Sequence, residues 1–166
     1  MPAVPYPKPL NSAVATRMRR NRRRDTRPER ALRSALHARG ARFRVDHPIQ
    51  LDGVRVRPDV SFTRWRVAVF VDGCFWHSCP RHGNTPDRNI AYWGPKLERN
   101  IARDRRVDTA LTQAGWHVIR AWEHEPAPEV ADRVLSAVCA AQSRSEASAR
   151  QRPRRRLSSG AGRGMD

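Results

Sequence analysis

RVAVFVDGCFWH, residues 66–77, decides the fold. From Arg66 to Val71 the run is rich in β-branched side chains and does not alternate between apolar and polar residues. A half-exposed strand alternates and a strand covered on both faces does not, so this run predicts a central strand with cover on either side. Beyond it, the Gly- and Pro-bearing stretch from Gly73 to Pro86 reads as a loop.

Working outward, a strand is expected over Asp59 to about Thr63. Asp52-Gly53 is a strong turn signal between Ile49/Leu51 and Val54/Val56. Phe43 and Val45 alternate with charged residues, which suggests a further strand. Earlier still, Thr26-Arg27-Pro28-Glu29 reads as a helix start, with Thr26 as cap, Pro28 in the first turn and Glu29 closing a capping box. Leu32, Ala35 and Leu36 give that helix an apolar face, and Gly40 ends it. On the other side, a helix is expected from about Pro95 to Ala114, a last core strand from Trp116 to Trp122, and a final helix from Glu129 to Ala141. The order predicts an α/β fold, a single domain with a mixed central β-sheet flanked by helices.

Length and charge bound the rest. A chain of 166 residues fits one domain. Its net charge of +17 is concentrated at the ends. Residues 1–30 hold nine Lys/Arg against two acids and residues 143–166 seven against two, leaving 17 against 12 between them. Basic ends find phosphate through counterion release, so nucleic acid is the expected partner, although a plain solvated tail accounts equally well for residues 150–166. The expected organisation is a disordered, proline-rich segment 1–15, a domain over 16–142 whose residues 16–25 form a DNA-binding arm, and a basic disordered tail over 143–166. No apolar run approaches bilayer length and no apolar signal core follows Met1, so a cytoplasmic, nucleoid-associated protein is expected. Three cysteines cannot all pair, and two sit among histidines, which points to metal rather than disulfides.

Four features carry chemistry. Arg57-Pro58-Asp59 with Val69-Phe70-Val71-Asp72 on the next strand can hold a magnesium ion against a phosphodiester, though Pro-Asp is also a common turn dipeptide. The lysine that usually follows two residues after the second acid is absent; Cys74 stands there. Cys74, Cys79 and His82 lie within nine residues, and with His124 they form a sensible Cys₂His₂ zinc set; buried free thiols beside surface histidines are the alternative. His77 lies between these ligands and is free to move a proton or orient water. Cys139 falls in an apolar helical stretch and reads as core, whereas His37, His47 and His117 read as surface. On the long helix, Asp104 and Asp108 share the stripe of Leu97, Ile101 and Leu111, so at least one must meet a metal, a histidine or an arginine. Asp104 is the choice for the site; a salt bridge to a core-edge arginine is the competing reading. Phe75, Trp76 and Trp93 lie in loop or pre-helix sequence, where they can either wedge into DNA or anchor a loop to the core.

Taken in order, several segments resemble the very-short-patch-repair (Vsr) mismatch endonucleases: Arg17-Met18-Arg19 through Glu29, Arg57-Pro58-Asp59, Val71 through His77, Asn100 through Arg106, and Ala114 through Glu123. The resemblance covers about residues 16–126, and its Gly-Cys-Phe-Trp-His run after an apolar strand is highly specific. It implies a restriction-endonuclease-like fold with a structural zinc held by Cys74, Cys79, His82 and His124. It further implies magnesium on Asp59 and the Val71 carbonyl, His77 as general base or water-orienting residue, and Asp104 and Glu29 supporting the water network. Asp72 stands where the best-known members have a histidine, so it takes the position of a second acid–base group. Met18 and Arg19 of the arm would contact DNA, Met18 from the minor groove, with Phe75, Trp76 and Trp93 entering from the major groove.

The activity implied is a magnesium-dependent nick 5′ to the thymine of a T:G mismatch left by deamination of 5-methylcytosine. The enzyme would act as a monomer, with a cytosine-5 methyltransferase as functional companion and no membrane partner. A same-fold nuclease with another DNA target, or a non-catalytic zinc-stabilised DNA-binding module, are the alternatives.

Overall fold

Helix α1, Arg27–Ala38, starts where the capping box places it. In the computed structural model, which describes residues 24–77, 79–82 and 90–150 together with Ser12, Thr26 is the N-cap and Pro28 sits in the first turn. The Thr26 hydroxyl donates to Glu29 Oε1 at 2.9 Å, and the Asp25 amide donates to Glu29 Oε2 at 2.8 Å. Gly40, just past the helix end, takes φ of 75°, a left-handed turn that a side chain resists.

Strands β1 (Ile49–Leu51) and β2 (Val54–Val56) form an antiparallel hairpin around Asp52-Gly53, as the turn signal requires. The main sheet is mixed, with β3 (Val60–Phe62) antiparallel to β4 (Val67–Asp72) and β5 (His117–Trp122) parallel to β4. Helix α2, Ile90–Gln113, makes the crossover between the parallel pair, and α3, Ala127–Arg150, follows β5.

Strand β4 is the wall between two cores. Val67 and Val69 face α1 and α3, packing with Leu32, Leu36, Val130 and Val134. Ala68 faces the other way, with Ile49, Val56 and Leu111. Val67, Ala68 and Val69 are all 0% exposed, so the unbroken apolar pattern does mark a doubly covered strand. Both cores share this strand, which makes one domain of mixed α/β architecture. By the same alternation Asp72 shares the face of Ala68 and points toward the α2 side of the sheet.

Four expectations are corrected. Phe43 and Val45 do not form a strand; only an isolated bridge between Arg44 and Ser61 remains, because Asp46 turns left-handed at φ 48° and Pro48 cannot donate to a ladder. Helix α2 begins at Ile90, not at Pro95, because Trp93 and Leu97, one turn apart, both bury their side chains and carry the helix across the proline. Helix α3 runs on past Ala141 to Arg150, so residues 143–150, expected in the disordered tail, are helical. Those eight residues hold no glycine or proline to stop it. Cys139 is exposed, not core, because α3 buries Val130, Ala131, Val134 and Val138 and the next residue is turned about 100° away.

Segment 1–15 other than Ser12, Met18, Arg19 and the tail beyond Arg150 lie outside the described residues. No described helix is long and apolar enough to cross a membrane.

Candidate active site and metal centre

The site gathers at the end of β4. Asp59 comes just before β3, and because β3 runs antiparallel to β4 it lies beside the β4 terminus. There the Val71 amide donates to Asp59 Oδ2 at 2.7 Å. Burial pushes the Asp59 carboxyl up to about 7, against the pull of that amide, and the charges of Glu29 and Asp72 push the same way. Glu29 is buried at 6% exposure, with both oxygens engaged in capping α1.

The loop after Gly73 turns back tightly, with the Trp76 and His77 amides donating to the Gly73 carbonyl at 3.1 and 3.2 Å. This brings His77 to α2, where its Nδ1 lies 2.5 Å from Asp104 Oδ2. Such a contact with a carboxylate places the proton on Nδ1 and leaves Nε2 as the acceptor. Asp72 Oδ1 is farther from the same Nδ1, at 3.6 Å. Of the two helix aspartates, only Asp104 meets the histidine; its other oxygen lies 3.4 Å from Arg103 Nη2 and 3.8 Å from Arg120 Nη2, and Asp108 is held by Arg120.

That arginine, Arg120, was not singled out by the sequence. It extends from β5, with Nη1 2.9 and 2.8 Å from the two Asp72 oxygens and Nε and Nη2 reaching Asp108 at 2.9–3.1 Å. Its guanidinium also stacks over Phe70, 4.9 Å from the ring centroid. The available signal was a charged residue between Val118 and Trp122 in a strand read as core, a position that demands a partner.

Cys74, Cys79, His82 and His124 come together with their ligand atoms within 4.8 Å of one another. Cys74 Sγ lies 3.1 Å from His124 Nδ1 and 3.9 Å from His82 Nδ1; Cys79 Sγ lies 3.8 and 4.0 Å from the same nitrogens. The two ring nitrogens are 3.2 Å apart. A tetrahedron of zinc–sulfur and zinc–nitrogen bonds has edges of about 3.6 Å between S and N and about 3.3 Å between two N, so the donor set fits a four-coordinate metal. Burial pushes the Cys74 thiol up to about 11, with Cys79 beside it adding to the rise. Burial also raises Cys79, but hydrogen bonds from the Arg81 and His82 backbone outweigh it and hold that thiol below its usual value. Glu123 joins the cluster to the sheet, since its Oε1 accepts from the Cys74 amide at 2.8 Å.

Phe75, Trp76 and Trp93 pack edge to face, with centroids 5.0, 5.4 and 5.8 Å apart. They differ in depth. Trp93 belongs to α2, not to a loop before it, and is 7% exposed, whereas Phe75 and Trp76 are half-buried. Asn100 Nδ2 donates to the Trp76 carbonyl at 3.3 Å and fixes the loop from behind. His37 and His117 are exposed and His47 half-buried, outside the site.

The family profile described as DNA mismatch endonuclease Vsr matches residues 11–81. The type II nicking enzyme V.NaeI of Lentzea aerocolonigenes is 54% identical over 134 residues, 80% of this chain and 79% of that protein. The chain belongs to the Vsr family. Also similar are the type II nicking enzyme V.XorIIP of Xanthomonas oryzae pv. oryzae, 46% identical over 65% of this chain and 77% of its own, and the DNA mismatch endonuclease Vsr of Escherichia coli K12, 37% identical over 60% and 62%. As a Vsr-family member the chain is a DNA endonuclease. The family match holds Asp59, Asp72 and His77 but stops short of Asp104, Arg120 and His124, which the fold brings to them.

Proposed function

We propose that this Vsr-family chain is a magnesium-dependent endonuclease that nicks one strand 5′ to the thymine of a T:G mismatch and so opens very-short-patch repair. The observation that carries the reading is His77, held by Asp104 at the same strand end as the half-buried Asp59 carboxylate. The mixed sheet bearing Asp59 and Val71 at that end supports a restriction-endonuclease-like fold.

The donors suit a hard divalent cation, because a carboxylate driven up to about 7 beside two further acids is relieved by positive charge. Asp59 and the Val71 carbonyl would hold the magnesium, which when bound would acidify water and stabilise charge on the phosphodiester. The protein's own part is orientation and proton movement. His77 Nε2 accepts the proton of the attacking water, Asp104 keeps the ring in the tautomer that permits it, and Glu29 steadies the water network beside Asp59. Asp72 anchors Arg120 rather than serving as the second acid–base group.

A zinc ion suits the Cys₂His₂ set, and since all four positions come from protein its role is structural. Phe75 and Trp76 wedge into the duplex from the major groove with Trp93 as their floor, and Met18 and Arg19 of the arm meet the minor groove and the backbone. A mismatched pair stacks less well, so wedging there costs less. The enzyme acts as a cytoplasmic, nucleoid-associated monomer in the company of a cytosine-5 methyltransferase, over a domain that begins at 16 and takes in α3 to residue 150, with a basic tail beyond.

The test is nicking with magnesium of an end-labelled duplex carrying one T:G pair and of its fully paired twin, flanks randomised. Selective nicking beside the thymine, lost in Asp59→Ala, is expected. The relatives named type II nicking enzymes favour a second reading, a different DNA target on the same fold. Equal cutting of both duplexes would support it, and no cutting by folded, zinc-loaded protein would leave only a DNA-binding module.

A further inference from the structure

We propose that Arg120 is a positioning residue for the nicking reaction: its guanidinium clamps Asp72 and Asp108 and so leaves Asp104 as the single carboxylate partner of His77. The inference rests on the reading of His77 as the base. Only one N–H is available at Nδ1, and two carboxylates lie near it, Asp104 at 2.5 Å and Asp72 at 3.6 Å. Were Asp72 free, it would compete for that N–H and swing the ring away from the geometry set by α2. Arg120 removes the competitor, because Nη1 engages both Asp72 oxygens at 2.8 and 2.9 Å.

The clamp is itself braced. Nε and Nη2 dock on Asp108 from the other side, Nη2 reaches the Asp104 carbonyl at 3.5 Å, and Phe70 supports the guanidinium plane. One planar cation thus ties the end of β4 to the helix carrying Asp104, and fixes the spacing between the His77 loop and its partner. A lysine has the charge but not the fork, so it can serve Asp72 or Asp108 but not both. Asp108 supports the clamp without touching His77, which makes it a probe of positioning alone.

The experiment measures kcat and KM on whichever duplex the parent protein nicks, with concentrations corrected to the folded, zinc-loaded fraction. For Arg120→Gln the expected result is a kcat lower by about 30-fold, less than the roughly 100-fold or more that a general base supplies, because the base is misplaced and not removed, with KM changed less than about threefold. Arg120→Lys should recover part of that loss, and Asp108→Asn should lower kcat by about threefold. In the double variant Arg120→Lys/Asp108→Asn the losses should not multiply, because both act through one clamp. Should Arg120→Gln fail to fold, Arg120→Lys, Asp108→Asn and their combination decide the matter. Parental kcat in these variants, or a KM effect alone, overturns the proposal. A parent that nicks no duplex, or His77→Ala nicking at the parental rate, overturns the functional reading instead.

Discussion

Asp59→Asn should make the magnesium-free protein more stable while abolishing its nicking. In the fold the Asp59 carboxyl is pushed from 3.8 up to about 7, chiefly by burial. Each unit corresponds to about 1.4 kcal/mol, so the full rise corresponds to about 4 kcal/mol. The residue is half-buried, and solvent screening leaves about 2 kcal/mol of that. The sign follows from proton linkage. A group whose pKa is raised on folding favours the folded state fully below its unfolded value and loses that contribution as pH rises through the folded value. The parent is therefore penalised progressively from about pH 4 to pH 7, and asparagine, which does not ionise, is not. Its carbonyl oxygen can still accept the Val71 amide, so little else changes. Thermal unfolding of zinc-loaded protein without magnesium should show Asp59→Asn melting about 4–8 °C higher at pH 8, with roughly half that gap at pH 5.5. Magnesium should then raise the parent's melting point and leave the variant's unchanged. Equal melting at pH 8, or a gap that does not shrink with pH, would refute the reasoning.

Three further outcomes are expected. Cys79→Ser should reduce bound zinc below one equivalent by atomic absorption and destabilise the fold by roughly 3 kcal/mol or more, since structural zinc contributes folding energy directly; parental zinc content and melting would exclude Cys79 as a ligand. Trp76→Ala should cut the preference for mismatched over paired duplex about tenfold while overall DNA affinity falls less than about threefold, stacking being worth about 1–3 kcal/mol per base; equal losses on both duplexes would contradict the wedge. Ser61→Ala should stabilise by about 1 kcal/mol in a denaturant titration, because the buried Ser61 hydroxyl has no hydrogen-bond partner among the described residues; a destabilised variant would point to a partner for that hydroxyl.

Much of the site was legible in the chain because its donors cluster in sequence. Cys74, His77, Cys79 and His82 lie on one short loop, and residue chemistry alone marks three of them as candidate metal ligands and His77 as a candidate to move a proton. Asp104 and Asp108 were legible as a demand for partners but not as an assignment. They sit one turn apart on the same face of α2, so nothing local distinguishes the aspartate that meets His77 from the one that takes both Nε and Nη2 of Arg120. Trp93 was read as a wedge and lies buried at the base of the aromatic cluster, because the helix that carries it starts before Pro95.

Sequence by itself determined what short-range forces decide: the capping box that starts α1, the turn at Asp52-Gly53, the doubly covered β4 and the chemistry of the loop after it. The tertiary structure decided the pairings. Arg120 meets Asp72, 48 residues away, because β4 and β5 lie parallel with Phe70 opposite Arg120 and Asp72 opposite Trp122. That register depends on the α2 crossover packing back onto the sheet, and no window of sequence contains it. Caps and periodicities are written in neighbours along the chain, whereas a buried ion pair is fixed only when distant strands close on each other.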